Sequence, residues 1–337
     1  MLTKELEEKI EKSLQQLCYP SLLKGDMGVC IYYFVMGRKR QDATFTQKGE
    51  DALGKIMSRM DRYKKLSIED GIVGVALGIT FLLRHKYIDG DINEVLQDID
   101  CYVYKGMEVV LGKAPHTEEN LPILDMLIYF LMRYEDMASP IRKKFYRRIV
   151  VYLFNYIYVH RPDSFYQESL PFNLKKESYL FMVMLVRIYE AGMERKRISR
   201  IFKEMKSSLF SNFPMLHANR LYLMTVAYMV GDCMGDKEWL DFSFQLSSHI
   251  DFIHVLEEEL ADKNILPMSG VIGIWLLLEI NQKMGNSVKS NLEGYHFRER
   301  IMKSTLWDRI EIDGEFLSNC YSLDGYCGIR LFLEYIG

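Results

Sequence analysis

Two glycines three residues apart, followed at once by an apolar run, occur four times in this chain. The four pairs are Gly25 and Gly28, Gly71 and Gly74, Gly270 and Gly273, and Gly325 and Gly328. Neighbouring pairs start about 50 residues apart, and the interval between the second and third pairs is about four such units, as in a repeat protein. The spacing therefore predicts three further repeats that have lost their glycines, and seven repeats in all.

The three repeats without a glycine pair are predicted to begin their apolar runs at Leu121, Glu177 and His217. Longer and more charged segments, apolar on one side only, alternate with the seven apolar runs. These are residues 3–17, 44–64, 92–110, 140–159, 194–209, 237–261 and 287–304. Fully apolar helices that alternate with one-sided helices favour an inner and an outer layer.

We therefore predict an all-α fold, an (α/α)7 toroid formed by a single domain over residues 1–337. An open solenoid needs polar capping repeats, whereas the apolar helix predicted at 325–336 has none. A long loop is predicted at 160–173, where it would overhang the opening of the ring.

Segment 140–159 combines basic and apolar residues at helical spacing. Its basic residues are Arg142, Lys143, Lys144, Arg147 and Arg148, and its apolar ones include Ile141, Phe145, Ile149 and Val150. The alternation predicts an apolar stripe on the core and a solvated basic face. A patch for an anionic partner is the alternative interpretation.

The charge balance and the cysteine content exclude several classes of protein. With 43 basic and 46 acidic side chains the net charge is −3, which argues against a nucleic acid partner held by charge. Six cysteines in 337 residues do not form a disulfide framework and indicate reduced thiols. No signal peptide begins the sequence, and no apolar run approaches the ~20 residues that span a bilayer. A soluble cytoplasmic protein without a membrane span is predicted.

Glycine at the start of an inner helix predicts close approach of neighbouring backbone and an unusual dihedral angle where the chain enters the helix. It also leaves first-turn N–H groups open to an anion or a polar substrate group. Asp70, Ser269 and Asp324 each precede a glycine pair, and as helix N-caps they would be favourable.

The alternative is a mixed-charge rim that binds a peptide or a sugar, formed by these three residues with Lys24, Lys176 and His217. Carboxylates on such a rim would also suit glycoside hydrolysis, which needs a pair of them. The candidates are Glu69, Asp70, Glu118, Glu119 and Asp324.

The repeat with its glycine pairs resembles the lanthionine synthetase C-like (LanC-like) family. The sequence YSLDGYCGIRLFL at 321–333 is similar to the closing repeat of that family, and GIVGVA at 71–76 is similar to its second repeat. The resemblance implies the (α/α)7 toroid. It also implies, for active members, cyclisation of peptides by addition of a Cys thiolate to a dehydrated Ser or Thr, with a zinc ion that lowers the thiol pKa.

Residue by residue, the resemblance places the zinc ligands of the family at Leu216 in the fifth repeat and at Met268 and Ser269 in the sixth. None of these is an ordinary zinc ligand. A shift of one residue would offer His217, but Gly270 fixes the sixth repeat. We therefore predict that the zinc site of the family is absent and that the chain has no cofactor.

The proton-transfer residues of the family fall near Glu118 or Glu119 and on Lys176, which with His217 are the catalytic candidates. A replacement metal site from Cys320, Cys327 and His217, with Cys30 nearby, is a weaker alternative. The remaining histidines have no spacing typical of a site and are predicted to be ordinary surface or core residues. They are His85, His116, His160, His249, His254 and His296.

Together these features predict a LanC-like pseudoenzyme, a protein that binds a peptide substrate or precursor peptide during the maturation of lanthipeptides or other ribosomal peptides. A peptide-modifying enzyme such as a dehydratase would be its partner. The alternative is an active toroid enzyme, either a cyclase with substituted metal ligands or a carbohydrate-processing enzyme.

Overall fold

The structure is a computed structural model that describes residues 20–60, 63–112, 121–260, 264–286, 288, 294–308 and 321–336. Every regular element within these ranges is helical, which confirms the all-α prediction. The longer helices are α1 (Asp26–Arg40), α2 (Ala43–Met57), α3 (Ile72–Arg84), α4 (Gln97–Gly112), α5 (Leu121–Asp136), α6 (Pro140–His160), α7 (Glu177–Glu190), α8 (Arg195–Phe210), α9 (His217–Met234), α10 (Lys237–Ser247), α11 (Val271–Lys283), α12 (Gly294–Met302) and α13 (Tyr326–Ile336).

Four short helical turns stand between these helices. Ile92–Val95 precedes α4, and Asp163–Tyr166 is a turn of 3₁₀ helix. Phe252–His254 leads into a π-helical turn, Val255–Glu259. Among the described residues, no helix combines the length and apolarity needed to cross a bilayer.

The helices alternate between two kinds of burial, as the sequence predicts. Helices α1, α7 and α9 bury residues on all sides, for example ten of the residues from Met27 to Gly37 in α1. By contrast α8 buries one stripe, at Ile198, Ile201, Phe202, Met205 and Leu209. That spacing places the stripe on a single helix face. The first expected outer helix, at 3–17, lies outside the described residues.

The chain forms two compact units. The first consists of Met1–Tyr146 with Trp307–Gly337, and in it α1 packs against α2, α3 and α13, and α3 packs against α4 and α5. The second is Arg147–Leu306, in which α9 packs against α7, α10 and α11, and α11 packs against α12. Within each unit, helices buried on all sides contact one another and also pack against helices that are buried on one side only.

The apolar stripe of α6 differs from the prediction. Ile149 and Val150 are buried, as expected, but Ile141 and Phe145 are exposed. The buried set is instead Tyr146, Ile149, Val150, Leu153, Phe154 and Ile157. At 3.6 residues per turn, Ile141 lies on the opposite side of the helix from the middle of that stripe.

A buried polar network in the first unit joins α4 and α5 to Tyr146. The Asp100 carboxylate accepts hydrogen bonds from Tyr129 (2.5 Å) and Tyr146 (2.7 Å) and from the guanidinium of Arg133 (2.8 Å). Because Arg133 is fully buried, its charge needs this carboxylate. The network therefore fixes how these helices meet.

Candidate functional site

The glycine pairs are places where loop backbone lies against the first turn of a helix. A Cβ at Gly71 would lie 2.7 Å from the Ser67 nitrogen, and one at Gly270 would lie 2.6 Å from the Leu266 nitrogen. Both nitrogens belong to the residue four positions earlier, so the two loops share one geometry. The predicted close approach is confirmed.

The predicted unusual dihedral angle is wrong. The φ angles of Gly25, Gly71 and Gly270 are −131°, −142° and −132°, which is extended backbone that any residue adopts. Glycine is needed at Gly71 and Gly270 only because a side chain would collide with the preceding loop.

The same loops use the first-turn N–H groups. Ile72 donates to the Lys65 carbonyl oxygen (3.0 Å), and Val271 donates to that of Asn264 (2.9 Å). Gly74 donates to the Ser67 carbonyl oxygen (3.1 Å). These donors are already satisfied, so the expectation that they remain open to an anion is wrong at these two helices.

Asp70 and Ser269 are not helix N-caps, contrary to the prediction. Gly71 and Gly270 occupy the N-cap positions, and no side chain caps either helix because the loop carbonyl groups already take the N–H groups. The Asp70 carboxylate instead pairs with Lys65. The Ser269 hydroxyl accepts a hydrogen bond from the Asn264 amide at 3.1 Å.

The remaining rim candidates of the first unit are engaged as well. The Asp324 N–H donates to the Leu23 carbonyl oxygen at 2.9 Å, and Glu69 forms an ion pair with Lys24. Glu118, Glu119 and Cys320 lie outside the described residues. Glu69 and Asp70, two of the carboxylates considered for glycoside hydrolysis, thus each pair with a lysine, and that alternative stays a prediction.

Segment 160–173 is held against the start of α9. Its Glu168 carboxylate accepts the N–H groups of Met215 (2.7 Å) and Leu216 (3.0 Å) and the side-chain amide of Asn219 (2.8 Å). Leu216 is the N-cap residue of α9, so Glu168 satisfies donors that the helix leaves unpaired. Phe172 of the same segment is buried.

The continuation of this segment lies against the start of α11. Leu174 donates its N–H to the Met268 carbonyl oxygen at 2.8 Å. The ring of Phe172 lies 3.2 Å from the position that a Cβ at Gly273 would take. Leu216 and Met268, two of the three positions where zinc ligands are expected from the LanC-like resemblance, are thus both bound by residues 168–174.

Lys176 is the N-cap residue of α7, and its ammonium donates to the Gln167 carbonyl oxygen. Burial lowers the pKa of Lys176, while the nearby carboxylates of Glu168 and Glu177 oppose that shift. Its hydrogen bond ties it to segment 160–173. Lys176 is therefore placed to hold this segment.

Three side chains that metals favour meet beside α9. They are His217, the first residue of α9, His254 from the short turn before the π-helical turn, and Glu259, which ends the π-helical turn. One ligand atom of each lies within 4.8 Å of the others. The two histidine ring centroids are 5.1 Å apart, and His254 Nε2 lies 3.9 Å from Glu259 Oε1.

Glu259 is the buried member of this cluster. Its side chain is 4% exposed, and it accepts the N–H groups of His217 (2.6 Å) and Ala218 (2.9 Å). Glu168 accepts the N–H groups of Met215 and Leu216. Together, the carboxylates of Glu168 and Glu259 thus accept four successive N–H groups at the start of α9. Negative charge is favourable there because the helix dipole is positive at that end.

His217 is held as a neutral ring. Its Nδ1 accepts the Asp251 N–H at 2.8 Å, which places the proton of the neutral ring on Nε2. Burial, and next the charge of Arg220, lower the pKa of His217. Arg220 itself donates to three carbonyl oxygens, those of Pro214, Met215 and His249.

The sequence predicts an ordinary histidine at His254 and does not single out Glu259, but the structure places both beside His217. These residues lie 37 and 42 positions after His217, so no local spacing connects them to it. The available signal was the His254–Glu259 interval of five residues, which becomes short in a π-helical turn.

The alternative metal site predicted from Cys320, Cys327 and His217 receives no support from the described residues. Among the described residues, His217 clusters with His254 and Glu259. Neither Cys30 nor Cys327 belongs to that cluster. Both thiols are buried, and burial raises the pKa of Cys30 to about 12, which disfavours the thiolate that a metal needs.

No protein-family model matches this chain, and a search of curated proteins finds no match. The likeness to the LanC-like family therefore depends on the repeat and its glycine pairs.

Proposed function

We propose that this chain is a LanC-like pseudoenzyme, an (α/α)7 toroid that binds a peptide during ribosomal peptide maturation without zinc-dependent cyclase activity. The alternation of helices buried on all sides with one-sided helices supports the toroid. Packing of α13 against α1 supports it further, because a closed ring brings its first and seventh inner helices together.

The observation that carries the loss of cyclase activity is the path of residues 168–174. Glu168 binds the Leu216 N–H and Leu174 binds the Met268 carbonyl oxygen, at positions where the resemblance places zinc ligands. The side chains there are a leucine, a thioether and, at Ser269, a hydroxyl that accepts from Asn264. This set supplies no ordinary zinc donor and leaves a thiol substrate without the metal that would activate it.

A synthetic peptide with one Cys and one dehydroalanine, labelled with fluorescein, tests both parts of the proposal. We expect its fluorescence anisotropy to rise on titration with the protein. We also expect thioether formation, followed by mass spectrometry in added Zn²⁺, to proceed at the rate of the peptide alone. Peptides with Ala for Cys and with Ser for dehydroalanine are the controls for chemistry.

Thioether formation that the protein accelerates would show a working cyclase and overturn the pseudoenzyme proposal. An anisotropy that stays flat for this peptide and both controls would remove the peptide-binding part.

A further inference from the structure

His217, His254 and Glu259 lie together although three separate stretches of chain supply them. Their ligand atoms are within 4.8 Å of one another, and Glu259 is fixed in place by two backbone N–H groups. Two imidazoles and one carboxylate are the protein ligands of one kind of zinc site, and such a site leaves the fourth coordination position of the metal open. Imidazole nitrogen also suits Ni²⁺ and Cu²⁺, whereas Mg²⁺ and Ca²⁺ prefer oxygen alone.

We propose that His217, His254 and Glu259 bind a first-row transition metal ion of the Zn²⁺ class. This site is separate from the proposed function: His254 and Glu259 do not occupy the positions at which the resemblance places zinc ligands, which are Leu216, Met268 and Ser269.

The three ligand atoms lie up to 4.8 Å apart and must move closer together to share one ion. Ligand atoms around a tetrahedral zinc ion lie about 3.3 Å apart, since each is about 2.0–2.1 Å from the metal. The measured separation of His254 Nε2 from Glu259 Oε1 is 3.9 Å. His254 is 47% exposed, so its ring is free to turn toward the other two residues. A carboxylate oxygen that accepts one hydrogen bond retains a second lone pair for the metal.

Charges near the site act in both directions. The carboxylates of Glu259 and Asp251 attract a cation. Arg220 repels a cation: it donates to three carbonyl oxygens, and its Nη1 also lies 3.5 Å from His217 Nδ1.

One hydrogen bond opposes metal binding. The Asp251 N–H donates to His217 Nδ1. A metal on Nδ1 takes that lone pair, and a metal on Nε2 forces the ring proton onto Nδ1, so either mode breaks the bond. A single net hydrogen bond changes affinity by about tenfold. Its loss also provides a readout, since the Asp251 amide becomes open to exchange.

Isothermal titration with Zn²⁺ tests the proposal on the full chain after treatment with a chelator. We expect one ion bound with micromolar or tighter affinity, and His254→Ala to weaken binding by more than ~100-fold, because even an outer partner of a metal ligand is worth 10–100-fold. His249→Ala is the matched control, an exposed histidine outside the cluster, and should bind as the parent does. Hydrogen exchange at Asp251 should accelerate on adding Zn²⁺.

Cobalt(II) separates this site from adventitious binding by cysteine, since thiolate ligands give an intense charge-transfer absorption that imidazole and carboxylate ligands lack. Absence of binding to the parent, unchanged affinity in His254→Ala, or a thiolate band would each overturn the proposal. These outcomes concern metal binding alone, whereas the proposed function is tested by peptide binding and by thioether formation in added Zn²⁺, so each can fail without the other.

Discussion

At the start of α3 the loop backbone passes so close to Gly71 that any side chain would meet Ser67. The same contact recurs at Gly270 with Leu266. This explains why glycine repeats in the sequence where φ is ordinary. A pattern of glycines predicts such an approach, but it does not indicate which carbonyl groups take the neighbouring N–H groups, since that depends on the path of the loop.

Gly71→Ala should lower the free energy of unfolding by about 2–4 kcal/mol, because the new Cβ collides with backbone that has no free rotation to escape. Gly54→Ala is the matched control: Gly54 is an exposed residue of α2 with nothing within 4 Å of its Cβ position. That variant should gain about 0.5–1 kcal/mol from helix propensity. Urea unfolding followed by circular dichroism measures both. Equal effects would contradict the steric explanation.

Asp26, in the first turn of α1, has an environment that favours its neutral form. Burial raises its pKa from 3.8 to about 7, and the nearby charges of Arg59 and Lys55 reduce that shift. Between pH 4 and pH 7 the folded state therefore holds a proton that the unfolded state has released. The stability of the protein should fall as pH rises through this interval.

Asp26→Asn removes that pH dependence. Near pH 4 the variant and the parent should be similar, and by pH 8 the variant should be more stable by up to about 4 kcal/mol. Urea unfolding at a series of pH values measures the difference. A difference that stays constant from pH 4 to pH 8 would show that Asp26 ionises normally in the fold.

At the scale of elements, the boundaries of most helices follow from the sequence, because burial on one side leaves a period of 3.6 residues and burial on all sides leaves a continuous apolar run. Helix α8 matches the predicted 194–209 almost residue for residue. The predicted 237–261 fails as one helix, since α10 ends at Ser247 and a π-helical turn follows. That turn places His254 beside Glu259. Local periodicity therefore could not predict the cluster of His217, His254 and Glu259.

Segment 160–173 should depend on Glu168 for its attachment to α9. Glu168→Ala leaves the Met215 and Leu216 N–H groups without their acceptor and should cost about 1–3 kcal/mol. Amide exchange at these two residues should accelerate, and protease cleavage within 160–173 should become faster. Asp163→Ala, an exposed acidic residue of the same segment, serves as the control and should change neither. Unaltered exchange in Glu168→Ala would contradict the attachment.

At the scale of the whole molecule, the first unit joins stretches that are far apart in sequence. The buried Ser322 hydroxyl lies within hydrogen-bond distance of the carbonyl oxygens of Gly25 (2.6 Å) and Leu22 (3.1 Å), either of which can accept its proton, and α13 packs against α1. The repeat period predicts the inner helices and their order. It does not predict this hydrogen bond, because a serine that precedes a glycine pair has many possible acceptors.

Ser322→Ala should lower the free energy of unfolding by about 0.5–1.5 kcal/mol, since the hydrogen bond of the buried hydroxyl to the loop before α1 is lost. Hydrogen exchange should accelerate in both α1 and α13, because the bond connects the start of one to the loop before the other. Ser58→Ala, which removes an exposed hydroxyl from the end of α2, is the control and should alter neither helix. Faster exchange in α13 alone would argue against the connection.

The pairing of α1 with α13 also sets an order of events during synthesis. A ribosome that has released α1 must add nearly 300 further residues before α13 emerges, which takes about 15–60 s at ordinary elongation rates. Throughout that time the nascent chain carries an apolar helix whose eventual partner does not yet exist. Residues 147–306 leave the ribosome in the interval and are free to fold first, so the unit that contains α1 is completed after them.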